Sequence, residues 1–152
     1  SCWQQTRQVS VDGKKRQCGI CAACLLRRMS VHAAGLKEAR DTYVWENLAA
    51  SSFESGAAPS FPKRKITRAL REYAIAGTLH LDHLAQLRTS EANATMFNLF
   101  SFQLAGSLGI KEEDVRTRLN RLLAKHETEW KDFMGSLGKH SFLGNWAAGA
   151  QT

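Results

Sequence analysis

The four cysteines are the residues of this chain best suited to chemistry. Three stand three apart in Cys18-Gly-Ile-Cys21-Ala-Ala-Cys24-Leu-Leu-Arg27-Arg28, and the fourth, Cys2, lies far upstream. Thiolates are soft donors, and a tetrahedral ion such as Zn2+ takes four of them at about 2.3 Å. An iron-sulfur cluster draws on the same donors, but such a run usually continues to a fourth Cys followed by Pro, and none follows Cys24. Disulfides need an oxidising compartment that nothing here suggests, and unmetallated thiols are the remaining option. The expectation is one structural Zn2+ held by Cys2, Cys18, Cys21 and Cys24.

The elements that must bring these sulfurs together are legible nearby. Gly19 fits a tight knuckle, since glycine lets the backbone turn its amides toward the sulfurs. Cys21 and Cys24 are three apart and suit one face of a helix, with Cys18 just ahead of its start. Upstream, the alternation Val9-Ser10-Val11 followed by Asp12-Gly13 signals a hairpin, whose open end would join Cys2 to Cys18. The plainer alternative for that stretch is a mobile polar loop with a basic tip.

The pattern Ser1-Cys2 followed by Cys18-Gly-x-Cys21-x-x-Cys24-x-Leu26-Arg27 resembles the C-terminal zinc motif of the 7-cyano-7-deazaguanine synthases. Those are cytoplasmic ATP-dependent enzymes of queuosine precursor synthesis, which form a nitrile from 7-carboxy-7-deazaguanine. The resemblance covers residues 1–36. It implies four cysteines on zinc and gives Arg27 a role in contacting substrate or nucleotide. Two departures stand out: the gap between Cys2 and Cys18 is longer than the family's, and most of the chain follows a motif that usually closes the protein. A long extension of that kind is similar to the synthase-like proteins of some bacterial anti-phage defence systems. The family's phosphate cradle, Ser-Gly-Gly-x-Asp-Ser, has no counterpart, because no Gly-Gly pair occurs in the sequence. The resemblance therefore implies a zinc-binding C-terminal part whose ATP-binding domain, with its ATP and Mg2+, precedes it or comes from another chain. No catalytic residue is expected in these residues themselves.

Composition agrees with a folded unit carrying an appended subdomain. The 152 residues are 43% hydrophobic and 23% charged, near the commonest domain size. No run of eighteen apolar residues and no secretory layout appears, which points to a cytoplasmic chain without a membrane span. The net charge of +7 is uneven. Basic clusters Lys14-Lys15-Arg16, Arg27-Arg28 and Lys63-Arg64-Lys65 all fall in the first half. A solvated face explains them most simply; the functional alternative is a zinc-ribbon module docking nucleic acid or an acidic protein. Trp3 is the lone aromatic ahead of residue 43, which weakens the case for single-stranded nucleic acid.

The remaining sequence predicts a mainly α fold: a small four-Cys knuckle followed by a helical bundle. Residues 1–50 form the knuckle with short helices, 51–62 a Ser-, Ala-, Gly- and Pro-rich linker, and 63–152 a helical extension suited to a protein partner. A helix from Cys24 carries Leu25, Met29, His32 and Leu36 at three-and-four spacing, and a short one over 42–50 would bury Val44, Trp45 and Leu48. Residues 66–87 form a helix that Gly77-Thr78 could interrupt. Residues 96–108, apolar around much of the circumference, are expected to be the central buried element. Glu112-Glu113-Asp114 open a helix to Leu137 with acids in its first turn, its inner stripe being Val115, Leu119, Leu122, Leu123, His126, Trp130, Phe133 and Leu137. His80 and His83, with Asp82, could share a helix face, but two surface histidines are the simpler reading. His32, His126 and His140 stand singly.

Overall fold

The computed structural model describes Cys2 and residues 10–149. Ser10–Val11 (β1) and Lys14–Lys15 (β2) pair antiparallel, Val11 opposite Lys14. The two-residue turn between them has Asp12 at φ 51° and Gly13 at φ 75°, the left-handed pair that matches the twist of a hairpin. The rest of the hairpin expected over residues 3–9 lies outside the described residues. Five α-helices follow among the described residues: α1 Ala22–Ala33, α2 Arg68–Gln86, α3 Ala94–Leu108, α4 Glu112–Leu137 and α5 Phe142–Gly149. The fold is mainly α, with the small cysteine knuckle at its N-terminal end. No helix among the described residues is long and apolar enough to cross a membrane.

One apolar core joins these parts. Cys18, Ile20, Cys24, Leu25 and Met29 share it with Trp45, Leu48, Leu70, Ala74, Trp130, Phe133 and Leu143. Helix α2 is not broken at Gly77. That glycine lets α1 approach, since a Cβ there would lie 2.8 Å from the Ala22 backbone nitrogen, and the buried Thr78 hydroxyl donates to the Ala74 carbonyl at 2.9 Å. Thr67 caps the helix, its hydroxyl accepting from Leu70 N at 3.2 Å.

Five expectations change; one is Leu122, placed on the inner stripe of α4 but 63% exposed. Residues 42–50 are not helical: a single 3-10 turn at Arg40–Thr42 leads into an extended strip. Tyr43, Val44 and Trp45 favour strand geometry, and the strip is pinned on both sides. Tyr43 bridges Gln17 in parallel and Trp45 bridges Ala57 antiparallel. Val44, Trp45 and Leu48 are buried as expected. Leu36 is exposed, because α1 ends at Ala33 and Gly35 turns the chain at φ 66°.

Residues 51–62, read as a linker, bury Phe53, Ala58 and Phe61 in the common core. Trp45 stacks on Phe53 at 4.7 Å and its indole N–H donates to the Phe53 carbonyl at 2.8 Å. Helix α3 is not central. It buries only Ser101 and Ala105, small residues that let it lie against α4. Helix α5 was not expected from the sequence; its Phe142 and Trp146 complete the aromatic cluster around Phe53, and Ser141 caps its first turn through Gly144 N at 3.0 Å.

Candidate metal centre

Local sequence puts the four sulfurs together. The hairpin returns the chain at Gln17, where Gln17 N donates to Thr42 O at 3.0 Å and Val44 N to Gln17 O at 2.8 Å. Cys18 follows in that clamped strip. Gly19 then reverses the chain at φ 85° in a space closed to any side chain: a Cβ would stand 2.9 Å from Trp45 O and 3.0 Å from Tyr43 Cβ. Cys21 is the N-cap of α1, its sulfur accepting from Cys24 N at 3.4 Å, and Cys24 lies on the first turn.

The ligand atoms of Cys2, Cys18, Cys21 and Cys24 all lie within 4.8 Å of one another. Cys18 and Cys24 sulfurs are 3.8 Å apart, the edge of a tetrahedron built on bonds of about 2.3 Å. Backbone amides supply the support the knuckle was expected to give: Cys18 N points to Cys2 Sγ at 3.3 Å and Cys21 N to Cys18 Sγ at 3.4 Å. Cys18, Cys21 and Cys24 are buried and Cys2 is half-buried. Sulfur packed against sulfur favours the protonated form. Hydrogen bonding with Cys21 and then Cys24 pushes the Cys18 thiol upward. At Cys24 the bond from Cys18 pulls downward, but the bond from Cys21 and burial outweigh it and push the thiol up to about 12. A divalent cation reverses that balance, because it stabilises thiolates directly. The arrangement can hold one metal ion.

A layer of residues around the knuckle escaped the sequence reading. Arg28 donates to Trp45 O at 2.6 Å and Glu46 O at 3.0 Å, and its guanidinium lies 4.5 Å over the Tyr43 ring. Burial pulls its pKa below the usual arginine value. Arg16 pairs with Glu46 at 2.7 Å. Arg27 donates through Nε to Glu38 at 2.8 Å, and the same carboxylate accepts from Tyr43 Oη at 2.6 Å. Arg28 is thus a structural strut between α1 and the 43–46 strip, while the Arg27 side chain stays 47% exposed. No spacing pattern announces these contacts, because the partners of Arg28 lie 17 and 18 residues away.

The histidines gather no site. His80 and His83 are exposed on α2, Asp82 accepts from the Trp130 indole at 3.0 Å, and His126 Nε2 lies 2.9 Å from Leu81 O. No protein-family model, curated protein or solved structure matches this chain.

Proposed function

We propose that this chain is the zinc-braced part of a 7-cyano-7-deazaguanine synthase-like protein, in which Cys2, Cys18, Cys21 and Cys24 hold one structural Zn2+. The observation that carries the reading is the enclosure of four sulfurs within 4.8 Å by the motif that resembles that family's. So tight a group suits a single ion with bonds of about 2.3 Å better than a cluster of several irons and sulfides, whose ligands stand further apart. Four protein ligands close the coordination sphere, which is the arrangement of a structural zinc and not of one that activates water.

In this reading ATP and Mg2+ act at a domain supplied by a preceding segment or another chain. The knuckle braces that site, and Arg27 reaches toward it. Its exposed guanidinium suits two-pronged contact with phosphate or carboxylate, and Glu38 holds it in place. The substrate is 7-carboxy-7-deazaguanine or, in the defence-associated branch, a related acceptor. The coding sequence ahead of Ser1 tests this: a Ser-Gly-Gly-x-Asp-Ser segment is expected there, and a complete frame without one counts against the family. In the full-length enzyme, Arg27→Lys should lower turnover while zinc content holds.

One observation favours the binding-module reading. Asp12 at the hairpin tip accepts from Ser60 Oγ at 2.8 Å, which sets exposed Lys14 and Lys15 beside the segment leading into Lys63-Arg64-Lys65. Salt-sensitive binding of an oligonucleotide, abolished by neutralising Lys14 and Lys63, would shift the assignment to that module.

A further inference from the structure

Helix α3 and the first half of α4 form a hairpin whose apolar surface the other described residues do not cover. The common core takes no residue from positions 92–123. Inside the hairpin, α3 rests on α4 through Ser101 and Ala105, and Val115 is the buried residue on the α4 side. The opposite face of α3 carries Met96, Leu99, Phe100 and Leu104 at offsets of three, four and eight, the seam of a helix that expects a partner. All four are exposed, as are Phe102 and Leu108 on its flanks.

We infer that this face of α3 is a self-association surface on which two copies of the chain pack α3 against α3. Area supports that occupant. The six side chains are between 40% and 65% exposed; at about 200 Å² for a large apolar side chain, they open roughly 600 Å². That is the upper limit of the patch an ordinary monomer shows. Two such faces together bury about 1,200 Å², the lower end of a specific interface.

Charge selects the same occupant. A chain of net charge +7 repels its own copy over most of its surface, yet residues 92–110 hold no charged side chain at all. A helix lying on a lipid surface would instead flank its apolar face with Lys and Arg. A two-fold axis brings this uncharged face onto its own copy, as an isologous interface requires.

Sedimentation equilibrium of the zinc-loaded chain from about 1 to 100 µM, the range in which interfaces of this size associate, tests the inference. The expected mass at the upper end is twice the 16.9 kDa of one chain. Phe100→Glu should weaken association at least about 30-fold, the scale of a central anchor. Gln103→Arg alters a residue that is already polar and exposed on the same face, so it tests the contact even where Phe100→Glu disturbs the helix; like charges meeting across the two-fold should produce the same loss. Leu36→Glu, exposed but remote, should leave the dimer intact. A single-chain mass at every concentration overturns the inference, and capture of that monomer by neutral phosphatidylcholine vesicles would give the face to lipid instead. A dimer that survives both α3 substitutions overturns it too, by placing the interface elsewhere.

Discussion

Replacing Gly19 with alanine loads the knuckle at the point where its geometry is most constrained. Two separate costs meet there. The residue stands at φ 85°, in the left-handed region that costs an L-residue about 1–2 kcal/mol. The added Cβ would also meet Trp45 O at 2.9 Å, Tyr43 Cβ at 3.0 Å and Arg28 Nη1 at 3.2 Å, and overpacking of that kind adds about 1–3 kcal/mol. Trp45 cannot easily retreat, because its carbonyl accepts from Arg28 at 2.6 Å and its amide donates to Cys18 O at 3.0 Å. The combined loss is about 2–5 kcal/mol. At about 2–4 °C per kcal/mol for a chain of this size, the midpoint should fall by roughly 5–20 °C. Gly13→Ala supplies the reference, since Gly13 has φ 75° and nothing within 4 Å of its added Cβ. Calorimetry of both variants, zinc-loaded, should show Gly19→Ala losing at least about 1 kcal/mol more than Gly13→Ala. Equal losses would refute the argument, because the contact with the 43–45 strip would then contribute nothing.

The other glycines divide by the same logic. Gly77→Ala should destabilise by up to about 2 kcal/mol net, because its Cβ would meet the Ala22 backbone at an overpacking cost of about 1–3 kcal/mol that outweighs a helix-propensity gain of about 1. Gly106→Ala, with open space around it, should stabilise by up to about 1 kcal/mol in urea unfolding. Arg28→Lys should cost about 2 kcal/mol, since an ammonium cannot hold both carbonyls and stack on Tyr43; an unchanged urea midpoint would remove the strut assigned to it. Chelating the metal should abolish amide protection in α1 and residues 43–58 together, because Cys24, Leu25, Trp45 and Ala58 belong to one core. Hydrogen exchange that changes only near Cys18–Cys24 would contradict this.

Much of this architecture was legible because its signals are local. Three cysteines at three-residue spacing, the Asp12-Gly13 turn and the acidic start of α4 each carry their own geometry. What escaped was set by distant partners. Tyr43-Val44-Trp45 is strand because Gln17 and Ala57 flank it, and residues 51–62 are ordered because Phe53 covers Trp45; neither pairing leaves a periodicity. Helix α3 misled for the opposite reason. An apolar circumference signals burial, but it does not say whether the same chain provides the cover, and among the described residues α4 supplies most of it. Arg27 and Arg28 look alike in sequence, and only the reach of Arg28 across to Trp45 and Glu46 separates them.

X-ray absorption at the zinc edge of the purified chain tests the metal assignment most directly, because it reads element, ligand type and bond length at once. The account predicts about one zinc per chain surrounded by four sulfurs at about 2.3 Å. A shell containing nitrogen or oxygen, an iron edge accompanied by sulfide, or a chain that retains no metal while keeping its fold would contradict it.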